Sequence, residues 1–201
     1  MRVGVLVSGE GTNLQALLDD AEIDVVCVAS NRPEAGGLER ARSAGVEAGV
    51  FSADDYEARP ARDAAMAAWL ESHGVDLVVL AGFMELLSVS FIESFRGRVV
   101  NVHPALLPAF PGLDAIEQAL EHGVKVMGVT VHFVDEGVDS GPIILQEAFE
   151  LPYPRDIEAI EERVHEIEHR LLPKAVRLIA AGAVGSDPAN PRLVVVDDRN
   201  G

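Results

Sequence analysis

Residues 75–81 read Val-Asp-Leu-Val-Val-Leu-Ala, an apolar run broken by a single acid. A strand with one wet face alternates polar and apolar residues. A run this continuous belongs instead to a parallel sheet covered on both sides. Residues 2–7, 24–29 and 98–102 are similarly rich in valine, and 46–51 adds a possible short strand. Between them lie helical stretches at 14–21, at 36–44 (closed by Gly45) and at 54–73, where Pro60 sits near the true start because proline is tolerated in a first turn. A short helix follows Ser88. Such alternation predicts one α/β domain over residues 1–201, doubly wound around a mostly parallel sheet.

The second half departs from that rhythm. Residues 113–122 read as a helix ending at Gly123, 125–134 as a longer alternating strand, and 142–149 as its antiparallel return. Residues 155–181 form a long amphipathic helix, with Ile157, Ile160, Val164, Ile167 and Leu171 at helical spacing. Pro173 is expected to kink or split it. Residues 192–196 could add an edge strand. Trp69 falls in an apolar stripe and Cys27 in the run Val25-Val26-Cys27-Val28, both as core residues.

Charge narrows the partners. With 16 basic and 33 acidic residues the net charge is −17, which disfavours nucleic acid or an anionic membrane. One cysteine cannot form an intrachain disulfide, which fits a reducing compartment. The apolar start at 3–7 is too short for a signal peptide, and no apolar run approaches a bilayer span. The expectation is a cytoplasmic protein, monomer or homodimer, acting on small molecules.

Three stretches carry chemistry. Ser8-Gly9-Glu10-Gly11-Thr12-Asn13 is a turn between a strand and a helix. Glycine lets a backbone approach a ligand, and free N–H groups at a helix start attract anions. An ordinary strand-to-helix connection fits the same residues, which lack both the Walker lysine and the dinucleotide glycine spacing. Gly82 to Leu87 places Met84, Glu85, Leu86 and Leu87 at a strand's carboxyl end, where they could wall a flat ligand or simply pack. Asn101-Val102-His103-Pro104 puts a carboxamide and an imidazole on one face of a strand that Pro104 ends. Donors converging there suit an oxyanion developing on a carbonyl. A carboxylate at Asp139 would favour the charged imidazole and accept a proton.

Two histidine patterns compete. His132 reads as a hydrogen-bonded core residue. His165-Glu166-Ile167-Glu168-His169 spells H-E-x-x-H on a helix, a zinc motif. Beyond His169 only Asp187, Asp197 or Asp198 could supply a third ligand. A solvated flank of a glutamate-rich helix is the preferred reading, and His165 and Glu168, three apart, could jointly face a ligand instead.

Taken together, residues 5–15, 80–84, 101–108, 131–134 and 139–144 resemble the phosphoribosylglycinamide formyltransferases, folate-dependent enzymes of purine synthesis. The resemblance implies formyl transfer from 10-formyltetrahydrofolate to the amine of glycinamide ribonucleotide, without a metal. It implies that Asn101 and His103 stabilise the tetrahedral oxyanion with help from Asp139. Gly11, Thr12 and Asn13 would hold the nucleotide's phosphate, Glu168 its ribose hydroxyls, with His165 near the phosphate. Met84, Glu85, Leu86, Leu87 and the turn Asp135, Glu136, Gly137, Val138 would enclose the folate with Asn101, and Arg59 would be a further folate contact. Residues 1–100 would then mainly serve the nucleotide, and 101–201 catalysis and folate. Glu85 stands where an arginine is common, Ala105 where serine is frequent, Ala109 where the residue is often basic, and Asp114 where histidine is common. Methionyl-tRNA formyltransferase and formyltetrahydrofolate hydrolase look similar around His103. The chain's length and acidity point away from the first, and the lack of a further amino-terminal domain points away from the second.

Overall fold

Valine and leucine at four of the six positions of Arg2–Val7, all but Arg2 and Gly4, give a first strand (β1) with five buried residues in succession. The computed structural model describes residues 1–197. After β1 come α1 (Thr12–Leu18), β2 (Asp24–Ser30), α2 (Gly36–Ser43), β3 (Glu47–Val50), α3 (Arg59–Ser72), β4 (Leu77–Leu80), α4 (Val89–Ser94) and β5 (Val99–His103). The rest is α5 (Ala115–Glu121), β6 (Val126–Phe133), β7 (Ile143–Glu150), α6 (Ile157–Ala180), β8 (Val184–Asp187) and β9 (Asn190–Val196).

Seven strands form one sheet in the order β3-β2-β1-β4-β5-β6-β7. The first five are parallel; β6 pairs antiparallel with β5, and β7 with β6. The doubly wound, mostly parallel architecture is thus present, with its antiparallel portion in the second half. Strand order reverses between β1 and β4, and ligands of open α/β sheets bind beyond the carboxyl ends at such a point. There the chain leaving β1 meets the chain leaving β4, as the Ser8 amide donates to the Gly82 carbonyl at 3.1 Å.

Period-two alternation divides the core. Val3, Val5 and Val7 pack with Leu14, Leu17, Val164, Ile167 and Leu171 on the face covered by α1 and α6. Leu6, Cys27, Met66, Leu70, Phe91 and Phe95 fill the face under α3 and α4. Burying one such leucine or phenylalanine is worth about 1.5–3 kcal/mol. Gly4 lets α3 close in: a β-carbon there would lie 2.9 Å from both Leu70 and Val75. Burial, with Glu47 adding and Arg2 opposing, pushes the Cys27 thiol up to about 12, so it is a small hydrophobe in the sheet.

Several expectations need correction. Residues 192–196 lie in no edge of the main sheet; β9 pairs with β8 in a separate two-stranded sheet. Asp187 closes that hairpin by accepting the amides of Ala189 (2.7 Å) and Asn190 (3.1 Å), so a local partner wins over a distant edge. Pro173 does not split α6, which runs unbroken through 24 residues. Proline forfeits one helical hydrogen bond, but Leu171, Leu172, Ala175 and Val176 around it are all buried and hold the helix on the sheet. Ile157 is 55% exposed at the helix start, outside the apolar stripe. The helix predicted from 54 begins at Arg59, with Pro60 in its first turn, after a short 3₁₀ turn at Ala53–Asp55. Asp114 adopts a left-handed φ of 56°, so the helix expected from 113 starts at Ala115. Trp69 is half-buried, its ring edge-on to Phe51 with centroids 5.6 Å apart.

Candidate active site

Asn101 and His103 alternate on β5, and β6 runs beside them with Asn101 opposite His132 and His103 opposite Thr130. The turn after β6 returns Asp139 to this pair. Asn101 Nδ2 donates to Asp139 Oδ1 at 3.3 Å, and His103 Nδ1 stands 3.4 Å from Asp139 Oδ2. His103 is 4% exposed and His132 1%. The three residues expected to act together are therefore together, 38 positions apart along the chain at the extreme.

Each partner is fixed by another. His103 Nε2 lies 2.7 Å from the Phe110 carbonyl, which can only accept, so that nitrogen carries a proton. The neutral ring would then turn a lone pair from Nδ1 toward the Asp139 carboxylate. Only the doubly protonated ring offers an N–H at that point. His132 Nδ1 lies 2.8 Å from the Phe133 carbonyl, and its Nε2 stands 3.3 Å from Asn101 Nδ2 and 3.6 Å from Asp139 Oδ1. Burial alone would raise the Asp139 carboxyl. It is outweighed by His132, by the Gly112 amide donating at 2.8 Å and by the charge of His103, and the carboxyl falls below the usual range. His132, weighed as a core histidine, is thus part of the cluster. No local pattern marks it, because only the β5–β6 register brings it opposite Asn101.

The proline-rich loop after His103 is pinned over the site. Thr130 Oγ1 donates to the Ala105 carbonyl (2.6 Å) and accepts from the Leu107 amide (3.1 Å), while Gln146 Nε2 donates to the Leu107 carbonyl (2.9 Å). Phe110 (φ 53°) and Asp139 (φ 47°) are both left-handed. Side chains other than glycine reach that region at a cost of about 1–2 kcal/mol, and such outliers gather at functional sites.

A second set of groups surrounds the turn after β1. Gly11 has φ 75°, and a β-carbon there would fall 2.5 Å from the Gly37 Cα, so glycine is required twice over. It caps α1 with no side-chain hydrogen bond, leaving the first amides of that helix free of a capping acceptor. Asn13 Nδ2 donates to Glu168 Oε2 at 3.0 Å, joining the turn to α6 across 155 residues. Burial raises the Glu168 carboxyl above its ordinary range, with Asn13 and His165 only partly opposing. Asn13 Oδ1 and His169 Nε2 are buried without a partner. Arg40, which no sequence motif marks, donates from Nε to the Glu10 carbonyl at 2.7 Å and puts a cation beside the turn. His165 is exposed; its ring stacks on His169 with centroids 6.1 Å apart. Among the described residues no three His, Cys, Asp or Glu side chains are grouped to hold a metal ion; Asp198 lies outside the described residues.

The remaining candidates flank the cluster. Met84 and Leu86 are 56% and 55% exposed, and Leu87 is half-buried. The Glu85 carboxylate turns inward, accepting from Asn31 Nδ2 (2.6 Å) and pairing with Arg62. Arg59 is exposed, at the first residue of α3. Asp135, Glu136 and Gly137 line a cavity of about 580 Å³ between Ile92, Phe133 and the β8–β9 hairpin. Asn101, His103 and Asp139 do not line it; the loop that carries Val138 and Asp139 connects cavity and cluster. Ser140 Oγ donates to Asp135 Oδ1 at 2.6 Å, and the Ser140 carbonyl accepts from Arg192 Nη2 at 2.6 Å.

A donor pair and a carboxylate thus lie together at the carboxyl edge of this α/β sheet. Residues 1–176 match the family described as Formyl transferase. The chain is 38% identical over 181 residues to phosphoribosylglycinamide formyltransferase of Bacillus subtilis, covering 88% of this chain and 93% of that protein. It is 45% identical over 194 residues to the trifunctional purine biosynthetic protein adenosine-3 of Drosophila melanogaster, and that match spans 93% of this chain but 14% of the longer protein. Glycinamide ribonucleotide transformylase 1 of Symbiobacterium toebii superposes with a TM-score of 0.94 at 49% identity, over 98% of this chain and 94% of that one. The chain belongs to the phosphoribosylglycinamide formyltransferase family.

Proposed function

We propose that this protein transfers a formyl group from 10-formyltetrahydrofolate to the amine of glycinamide ribonucleotide, in the cytoplasm and in the service of purine synthesis. The observation that carries the reading is the convergence of Asn101 Nδ2 and His103 Nδ1 on the two oxygens of one carboxylate, Oδ1 (3.3 Å) and Oδ2 (3.4 Å) of Asp139. A carbonyl oxygen that gains negative charge between those two groups would meet the Asn101 amide and, with the ring doubly protonated, the His103 Nδ1–H, a contribution worth about 10²–10³ in rate per donor. The amine attacks the formyl carbon directly. A nitrogen–carbon bond forms, the folate nitrogen–carbon bond breaks, and one proton passes from the attacking nitrogen to the departing one. Asp139 and His103 are the groups placed to move it. Gly11, Thr12 and Asn13 offer the phosphate free amides and Arg40 a charge, while Glu168 and Asn13 offer acceptors to ribose hydroxyls. Met84 to Leu87 and residues 135–138 form the folate side. No metal enters this scheme.

The test is an assay of the purified protein with both substrates, with and without the nucleotide. Formylated nucleotide, formed at undiminished rate with chelator present, supports the reading. Deformylation of the folate without nucleotide points to a hydrolase instead. No turnover in either condition refutes formyl transfer.

A further inference from the structure

Arg62 is 1% exposed and Asp63 0%, yet neither belongs to the machinery described above. A buried guanidinium is tolerated only when its charge and its donors are met. Arg62 meets them with two carboxylates. Its Nε and Nη2 donate to Asp63 Oδ1 at 3.0 and 2.8 Å, and its Nη1 pairs with Glu85 Oε2.

Both carboxylates lead to the loop between β4 and α4. Asp63 Oδ2 accepts the Ser88 amide at 2.7 Å, and Ser88 caps α4 by accepting the Phe91 amide. Glu85 Oε1 accepts from Asn31 Nδ2 (2.6 Å), Asn31 Oδ1 accepts from Ser8 Oγ (2.6 Å), and Ser8 Oγ accepts the Met84 amide (2.8 Å). The loop is therefore tied at Met84, Glu85 and Ser88, while Met84 and Leu86 between the ties stay more than half exposed. Spending a buried charge cluster to hold apolar side chains in water makes sense if a ligand later covers them.

We propose that Arg62 is a positioning residue for the formyl donor: acting through Glu85 and Asp63, it fixes the loop 82–88 in its ligand-receiving shape. The proposal rests on the reading of that loop as the folate side. It also assigns the Glu85 carboxylate to the inside of the loop instead of to the ligand. Ser8 joins the same chain, so the strand end that leads to the nucleotide turn is braced by it too.

Two variants test this. Glu85→Gln removes one charge and leaves Arg62 paired with Asp63, so the fold survives; Arg62→Lys keeps the charge and loses the fork. Both are expected to raise the KM for 10-formyltetrahydrofolate by about tenfold, an effect of about 1.4 kcal/mol, with kcat and the nucleotide KM within about twofold. Hydrogen exchange of the amides at 83–88 should speed up by a similar factor while β1 and β4 stay protected. A higher donor KM without faster exchange would mean that Glu85 touches the ligand itself, and would overturn the proposal. So would an unchanged donor KM, or equal losses for both substrates. If the wild type fails to transfer formyl at all, the functional reading falls. The exchange measurement then stands alone: unchanged loop protection in Glu85→Gln overturns the anchoring role, and faster exchange supports it.

Discussion

The cluster on β5 and β6 and the turn after β1 are both buried polar sites at the same edge of one sheet, and they are built on opposite terms. Around Asp139 the polar groups all have partners: Asn101 and the Gly112 amide donate to its oxygens, His103 and His132 stand beside it, and the carboxyl is held low. Around Asn13 the accounting is incomplete. Asn13 Oδ1 and His169 Nε2 have no partner, Gly11 leaves α1 uncapped, and burial holds the Glu168 carboxyl high. An unsatisfied buried group costs about 1–3 kcal/mol, so the second region is the one a ligand would complete. On the proposed function, the first would be preorganised for a charge that exists only during reaction, and the second would be completed by the molecule that binds.

Substitutions should separate the two regions. The largest effect belongs to His103→Ala, which is expected to lower kcat for formyl transfer by about 100-fold or more through loss of an oxyanion donor. Near-normal turnover in that variant would remove His103 from the mechanism. Asp139→Asn should reduce kcat by a comparable factor and also change acid stability. Because its folded-state pKa is depressed, Asp139 contributes stability above the ordinary carboxylate range and loses it as pH falls through that range to the depressed value. The difference in melting temperature between wild type and Asp139→Asn should therefore shrink on acidification. Glu168→Gln should show the opposite sign. A carboxyl raised by burial makes the folded state bind protons more readily, so stability falls as pH rises from the ordinary carboxylate range to the raised value. The glutamine variant should melt higher than wild type at neutral pH, converge with it in acid, and raise the nucleotide KM by about tenfold if one ribose contact weakens. A parallel pH response in both variants would abolish the contrast. The smallest effect is expected for Gly112→Ala. Its φ of 87° is unfavourable for a side chain, costing about 1–2 kcal/mol, and its amide anchors Asp139, so a modest loss of stability should accompany a modest loss of kcat.

Much of this was legible in the sequence, for reasons of period and punctuation. The apolar run 75–81 announced a parallel sheet, and Asn101 and His103 were placed side by side by nothing more than strand alternation. Ser88 and Pro60 marked their helix starts through capping and first-turn chemistry. What escaped was whatever depends on pairing between distant elements. His132 is an unremarkable strand histidine until β6 is in register with β5. Arg62 carries no mark in the sequence, since burial is a property of the packed molecule. Residues 184–187 (Val-Gly-Ser-Asp) carry no alternation to betray β8. The H-E-x-x-H spelling shows the same limit: the sequence pattern is complete, but only the fold shows Glu168 turned to Asn13 and His165 stacked on His169.

The most direct measurement is the affinity of the His103→Ala protein for glycinamide ribonucleotide by calorimetry, set beside its turnover. If the β5 cluster acts on the reaction and the β1 turn on binding, the nucleotide should bind within about threefold of wild type, less than 1 kcal/mol, while formyl transfer falls by about 100-fold. Affinity that falls in step with turnover would contradict that division, and with it the claim that the two regions do different work.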